Sequence, residues 1–253
     1  MSFSGSAADY DRFMGRYSRP LAVPFVDFAG ITPPATVLDV GCGTGALTAE
    51  LARRLGAASV VAVDPAAHYA DATRAENPGV RVEVASAEQL PFDDGEFDAA
   101  LAELVVHFMA DPVAGLREMA RVTRPGGVVA ACVWDHAGGG SPLSAFWSVV
   151  HDIDPGATGE AEMAGARAGS LTELFEAAGL DAVVEQSVSV RVVHPSFDDW
   201  WQPYLAGTGP AGSYVAGLDP HGVSRLRDAA AAILPEFPLT LTASAWAARG
   251  TVA

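Results

Sequence analysis

The stretch 36–47, Thr-Val-Leu-Asp-Val-Gly-Cys-Gly-Thr-Gly-Ala-Leu, constrains this chain more than any other. Its short apolar run carries the β-branched Val37 and Val40 and reads as a buried strand. Three alternate glycines, Gly41, Gly43 and Gly45, end the run, and 46–55 has helical composition and spacing. Strand, glycine turn and helix form the opening unit of a nucleotide-binding α/β sheet. Glycines permit the sharp turn and leave room for a ligand where a Cβ would clash. The turn also presents backbone N–H groups at a helix start, which suits an anionic or hydrogen-bond-accepting group.

Strand and helix then alternate. A second strand over 59–63 ends at Asp64-Pro65, and a helix follows over 66–76. Asp64 lies 23 positions after Gly41, near the spacing of about 20 at which an acid binds a ribose in such units. The same carboxylate also suits an N-cap of the helix behind it. A third strand is expected over 80–85, then the polar Ser86-Ala87-Glu88-Gln89, Leu90-Pro91-Phe92 and an acidic turn. A fourth strand over 99–102 runs into Glu103, Leu104 and an apolar segment to 109. Asp111-Pro112 opens a helix whose Val113, Leu116, Met119 and Ala120 share one face. Arg124-Pro125-Gly126-Gly127 stops it before a fifth strand over 128–134. This alternation implies a parallel sheet with right-handed crossovers, with ligands at the carboxyl ends of its strands. The glycine turn, Asp64, Ser86 to Glu88 and Glu103 all fall at such ends.

Beyond Trp134 the pattern changes. Helices are expected over 142–153 and 171–178, with a small, polar loop over 156–169 between them. A long strand follows over 182–193, then a helix over 197–205 with Trp200 and Trp201, a loop over 207–212, a helix over 223–234 and a last strand over 239–248. At the other end, Tyr10, Phe13, Met14 and Tyr17 stand among Arg12, Arg16 and Arg19. One or two helices are expected there, folded over the core as packing or as a lid on a cofactor.

Composition removes several classes of function. A net charge of −16 repels phosphate, so nucleic acid and anionic membranes are poor partners. No apolar run reaches the roughly 18 residues of a membrane span. Residues 1–16 lack the hydrophobic region of a signal peptide, so a cytoplasmic location is expected. All 15 basic residues are arginine. Without lysine there is neither a Schiff-base residue nor a P-loop. Cys42 and Cys132 form no Cys/His ligand spacing, and no metal site is expected.

Four stretches carry a resemblance: 37–47 (VLDVGCGTGAL), 61–65 (VAVDP), 87–98 (AEQLPFDDGEFD) and 121–127 (RVTRPGG). In this order and spacing the chain resembles the class I S-adenosylmethionine-dependent methyltransferases, specifically the small-molecule group similar to the ubiquinone and menaquinone biosynthesis enzymes. The resemblance implies an α/β, Rossmann-like seven-stranded sheet, mostly parallel with an antiparallel last strand. In the family the last two strands are joined by a tight turn. Here 195–238 intervenes and is expected as a helical cap insertion over the substrate pocket. The expected organisation is an N-terminal helical lid (1–35), a core (36–194, with a helical and loop segment 136–169), the cap (195–238) and the last core strand (239–253).

The resemblance also implies residue roles. Gly41, Cys42, Gly43 and Gly45 border the methionine part of S-adenosyl-L-methionine, and Asp39 lies beneath its ammonium. Asp64 holds the ribose hydroxyls, Pro65 flanks the adenine, and Ala87 and Glu88 face it through backbone groups. Ser86 stands where the family often has Asp and gives the adenine amino group a weaker acceptor. Glu103 and Leu104 approach the methionine end. From position and chemistry, Tyr10 or Tyr17 offers an aromatic face to the sulfonium, and Arg19 a partner for the methionine carboxylate. A general base helps if the acceptor is a hydroxyl or acidic carbon. His107 is the first candidate and His136 the second, ahead of His68, His151, His194 and His221. The expected function is methyl transfer to a small-molecule acceptor by a monomer or homodimer. Its rivals are an NAD-dependent oxidoreductase, whose fingerprint Gly41, Gly43, Ala46 and Asp64 formally satisfy, and a non-catalytic S-adenosylmethionine-binding protein.

Overall fold

The computed structural model describes residues 10–234 and 236–253. Residues 1–9 of the expected lid and Pro235 of the expected cap lie outside the described residues. The strands are β1 (Val37–Val40), β2 (Val60–Asp64), β3 (Arg81–Val84), β4 (Phe97–Glu103), β5 (Thr123–Trp134), β6 (Asp181–His194) and β7 (Leu239–Thr251). The helices are α1 (Arg16–Ala29), α2 (Ala46–Leu55), α3 (Ala67–Glu76), α4 (Pro112–Val122), α5 (Ser144–Ile153), α6 (Ser170–Ala178), α7 (Phe197–Trp201), α8 (Gly209–Ala216) and α9 (Pro220–Ile233).

The seven strands form one sheet in the order β3-β2-β1-β4-β5-β7-β6. Pairing is parallel from β3 through β5, and β7 runs antiparallel to both β5 and β6. This is the Rossmann-like sheet with an antiparallel last strand that the sequence implies. The chain leaves β1 towards β2 and β3, then returns to place β4 on the other side of β1. The carboxyl ends of β1 and β4 therefore diverge at a topological switch point, where sheets of this kind bind ligands.

Both faces of the sheet are covered, which is why its central strands are apolar runs rather than alternating ones. On one face Leu21, Phe25 and Val26 of α1 and Leu51 of α2 pack against Val37, Ala62 and Leu101. On the other, Leu116 and Met119 of α4 and Phe175 of α6 pack against Leu38, Val40 and Val129. All four residues of β1 are buried, and Asp39 is the one acid among them.

A third core joins α5, the helices between β6 and β7, and Phe13 and Met14 of the N-terminal segment. Phe146 and Tyr204 stack there with centroids 4.4 Å apart. The Trp201 side chain is fully enclosed at 1% exposure. Trp201→Ala is expected to cost about 3–5 kcal/mol, read as a lower denaturant midpoint. A polar clasp fixes α1 to this layer. Arg16 pairs with Asp199 at 2.7 Å, and the Tyr17 hydroxyl lies 2.6 Å from His194 Nε2.

Two expectations about the cap are corrected. The loop expected over 207–212 is largely helix α8. Gly209-Pro210 reads as a breaker, but proline in a first helical turn forfeits only an N–H that has no partner in the helix. The single helix expected over 197–205 is the short α7 followed by a 3-10 turn, Gln202–Ala206. Pro203 cannot donate the next intrahelical bond. Among the described residues no helix is long and apolar enough to cross a membrane.

Candidate functional site

The glycine turn is anchored on β2, where the N–H groups of Gly41 and Cys42 both donate to Val63 O, at 2.8 and 2.9 Å. Gly41 has φ +75°, and a Cβ there would sit 2.5 Å from Val105 Cγ2, so packing alone demands glycine. Gly43 differs. Its φ is +54°, and none of the described residues lies within 4 Å of where a Cβ would project. Its N–H donates to Asp64 Oδ2 at 3.0 Å, while Asp64 Oδ1 accepts from Ala66 N at 2.8 Å. Asp64 thus braces both the glycine turn and the start of α3. Each carboxylate oxygen keeps a further acceptor position. Burial pushes its pKa up against the pull of those two N–H groups.

Asp39 and Glu103, at the ends of β1 and β4, share a cavity with Tyr10, Cys42, Gly43 and Leu104. Asp39 is 1% exposed and accepts from Thr48 Oγ1 at 2.5 Å. Burial raises its pKa to about 7. Both carboxylate oxygens of Glu103 are buried without a hydrogen-bond partner, and burial pushes that group well above the usual carboxylate range. No arginine lines this cavity. Two unneutralised acids facing one hollow are costly in an apolar interior, and the arrangement suits a cationic, hydrogen-bond-donating group. Leu104 adopts φ +62°, a left-handed conformation that costs a non-glycine residue about 1–2 kcal/mol.

A second cavity begins on the far side of Tyr10 and Leu104, which line both hollows. Its walls include Phe13, Met14, Phe108 and Leu143. Four buried polar atoms of its lining residues have no hydrogen-bond partner: His107 Nδ1, Trp134 Nε1, His136 Nε2 and Thr208 Oγ1. Burial holds His107 down to about 3 and His136 down to about 4, so both imidazoles are neutral. Glu160, also in the wall, accepts from Trp147 Nε1 at 2.5 Å and is pushed by burial to about 7.

The structure therefore brings together Tyr10, Asp39, Gly41, Cys42, Gly43, Glu103, Leu104, His107 and His136 around two adjoining hollows. Gly45 and Asp64 support the turn from behind. Pro65, Ser86, Ala87 and Glu88 follow β2 and β3 outside the hollows, and the Glu88 side chain accepts from Ala110 N at 2.8 Å. Arg19 does not line the cavity. It donates to Asp11 at 2.8 Å and Glu76 at 2.9 Å. Tyr17 likewise turns into the core towards His194. Among the weaker histidines, His68 lies against Tyr69 and His194 belongs to the Arg16–Asp199 clasp. Sequence reasoning missed Trp134, Glu160 and Thr208 as site residues. Glu160 comes from a segment without periodicity or motif, which gave no signal.

A family model described as a methyltransferase domain matches residues 38–131. A demethylmenaquinone methyltransferase of Mycolicibacterium gilvum is 36% identical over 141 residues, which is 56% of this chain and 55% of that protein. An uncharacterized protein of Mycobacterium tuberculosis is 32% identical over 208 residues, 78% of this chain and 75% of that protein. The chain spans about half the length of the curated relatives it matches at higher identity. Among solved structures, a putative methyltransferase of Bacillus halodurans superposes with a TM-score of 0.59 at 17% identity, covering 91% of this chain and 97% of that one. At that identity the likeness concerns the fold.

Proposed function

We infer, for a chain that belongs to the methyltransferase domain family, that it transfers the methyl group of S-adenosylmethionine to an uncharged small molecule. One observation carries the reading: an acidic hollow and an apolar one meet at Tyr10 and Leu104. The residues present fit the cofactor. The unpartnered oxygens of Glu103, with Asp39, would take its ammonium, and the open side of Gly43 leaves backbone room for its methionine part. Asp64 would accept from the ribose hydroxyls, and the Tyr10 ring would face the sulfonium. Pro65, Ser86, Ala87 and Glu88 would flank the adenine. When bound, S-adenosylmethionine supplies an electrophilic methyl group, whose transfer leaves the carbon–sulfur bonding pair on sulfur.

The chain's own part is to bind, orient and exclude water. No arginine lines the second cavity, and a buried charge without a partner is heavily penalised. Of charged acceptors this disfavours an anion, whereas Glu160 in the wall would meet a cation, and the apolar walls suit an uncharged body. His107 and His136 are the candidate bases for its proton. The cavity measures about 40 Å³, room for a water or two. Acceptor binding therefore requires its N-terminal wall or the segment carrying Glu160 to move outward.

Calorimetry with three ligands tests the reading. S-adenosylmethionine and S-adenosylhomocysteine are expected to bind one per chain, and NAD not at all. Binding of NAD alone would establish the oxidoreductase instead. A radiolabelled methyl-transfer screen over uncharged acceptors separates the enzyme from a cofactor-binding protein without activity.

A further inference from the structure

Behind the second cavity lies a groove of about 440 Å³, between α5 and the segment carrying Glu160. Ser141, Ser144, Ser148 and His151 give it a polar lining. Among the described residues, His136 and Glu160 alone line both this groove and the inner cavity. His136 Nε2 is buried without a partner, while Nδ1 lies 4.0 Å from Glu160 Oε2. The two residues thus form the wall between the apolar chamber and the polar groove.

We propose that His136, not His107, takes the acceptor's proton on Nε2, and that Glu160 is the positioning residue that, on closing from 4.0 Å to hydrogen-bond distance, holds Nδ1 as N–H and leads the proton to the outer groove. The proposal rests on the methyl-transfer reading. A carboxylate beside Nδ1 favours the proton on that nitrogen, which leaves a lone pair on Nε2. The carboxylate is itself held by Trp147 Nε1. The His136 backbone is fixed by Asp135, whose side chain accepts from Gly138 N and whose carbonyl accepts from Gly140 N and Ser141 N.

His107 lacks both advantages. Its Nδ1 is unpartnered, but it lines only the inner cavity and no acid pairs with it. A proton taken there would leave a buried imidazolium with no counter-charge and no outlet. At His136 the balance closes. The acceptor's bond to hydrogen breaks as its bond to the methyl carbon forms, and the proton goes to Nε2. The imidazolium then yields its Nδ1 proton to Glu160, and Glu160 yields it to water in the groove. The groups facing His136 are His107 from the turn after β4, Asp135 beside it, Glu160, and His151 and Glu162 across the groove. Because burial raises Glu160 to about 7, the Nδ1–H form is expected to weaken as the pH falls below that value.

The test is nitrogen-resolved NMR of the imidazole rings at pH 8, in protein saturated with S-adenosylhomocysteine, with His136→Gln used to assign the signal. Calorimetry first establishes that S-adenosylhomocysteine binds. Failure there sinks the methyl-transfer reading, whereas the ring spectra judge the relay separately. The expected result is an Nδ1–H tautomer for His136 in the wild-type chain. In Glu160→Gln its proton affinity is expected to fall about tenfold or more, and Glu160→Asp should restore part of it. An Nε2–H tautomer in the wild type, or an unchanged His136 titration in Glu160→Gln, overturns the proposal. The wild-type tautomer needs no variant, so a misfolded substitution cannot leave the question open.

Discussion

Asp64→Ala is expected to weaken S-adenosylmethionine binding by about 100- to 1000-fold, with the chain still folded. Hydrogen bonds to a charged group contribute about 1.5–3 kcal/mol each. Losing two to a ribose, each near the lower end of that range because the site is partly open to water, removes about 3–4 kcal/mol, which is that range of affinity. A second effect acts in the same direction. Asp64 also accepts from Gly43 N and Ala66 N, so alanine loosens the turn that presents Gly43. Asp64→Asn separates the two contributions, because the amide keeps one acceptor oxygen and sets its NH₂ against one of those backbone donors. Calorimetry gives the affinity, and circular dichroism checks the fold. An Asp64→Ala affinity within threefold of wild type would remove Asp64 from the ribose.

The part of the chain from β1 to β5 was legible for a physical reason. Strands buried on both faces must be apolar runs, and each is punctuated by glycine, proline or an acid at its end. Asp39, which the resemblance places beneath the cofactor's ammonium, lies buried near Glu103, itself buried. Side-chain direction was not legible. Tyr10 and Tyr17 are two turns apart and would share a face of a regular helix. The π-helical turn Asp11–Gly15 between them shifts the register, so Tyr10 lines the acidic hollow while Tyr17 faces His194. Arg19, placed near the ligand by proximity in sequence, is claimed by Asp11 and Glu76. The glycines also divide in a way that spacing hides. Within the turn, Gly41 and Gly45 avoid Val105 and Asn77, and of these three only Gly43 opens onto space free of the described residues. Glu160 and Thr208 reach the second cavity from segments far apart in sequence, and no local pattern records such a meeting.

The acid pair makes a second large effect measurable, a stability that falls as the pH rises towards 8 and a cofactor that restores it. Asp39 has a pKa of about 7 in the folded chain against 3.8 in a free one. A raised carboxyl contributes stability that is fully present below the free value and is lost as the pH climbs through the folded one. The whole span is on the order of 4 kcal/mol for Asp39. Glu103 and Glu160 are raised too and act in the same sense. The lowered histidines oppose them, since His107 and His136 at about 3 and about 4 make the fold gain stability as the pH rises towards the free value of 6.5. The lowered acids Glu50, Asp98, Glu118 and Asp199 act only below the ordinary carboxylate range. Between about pH 6.5 and 8 the raised acids outweigh the fading opposition of His107, His136 and the likewise lowered His194, and the cofactor-free protein is expected to lose about 1–2 kcal/mol, roughly 2–8 °C in Tm. A ligand whose ammonium sits on Asp39 and Glu103 favours their ionised forms. Binding at pH 6.5 should then release about one proton, seen as a dependence of the calorimetric heat on the buffer's ionisation enthalpy. The Tm increment from the ligand should be larger at pH 8 than at pH 6.5. Asp39→Asn should make the pH profile shallower and reduce the proton release together, since that carboxyl contributes to both. Stability that rises from pH 6.5 to 8, or binding heats independent of buffer, would place the ligand's cationic end away from this pair.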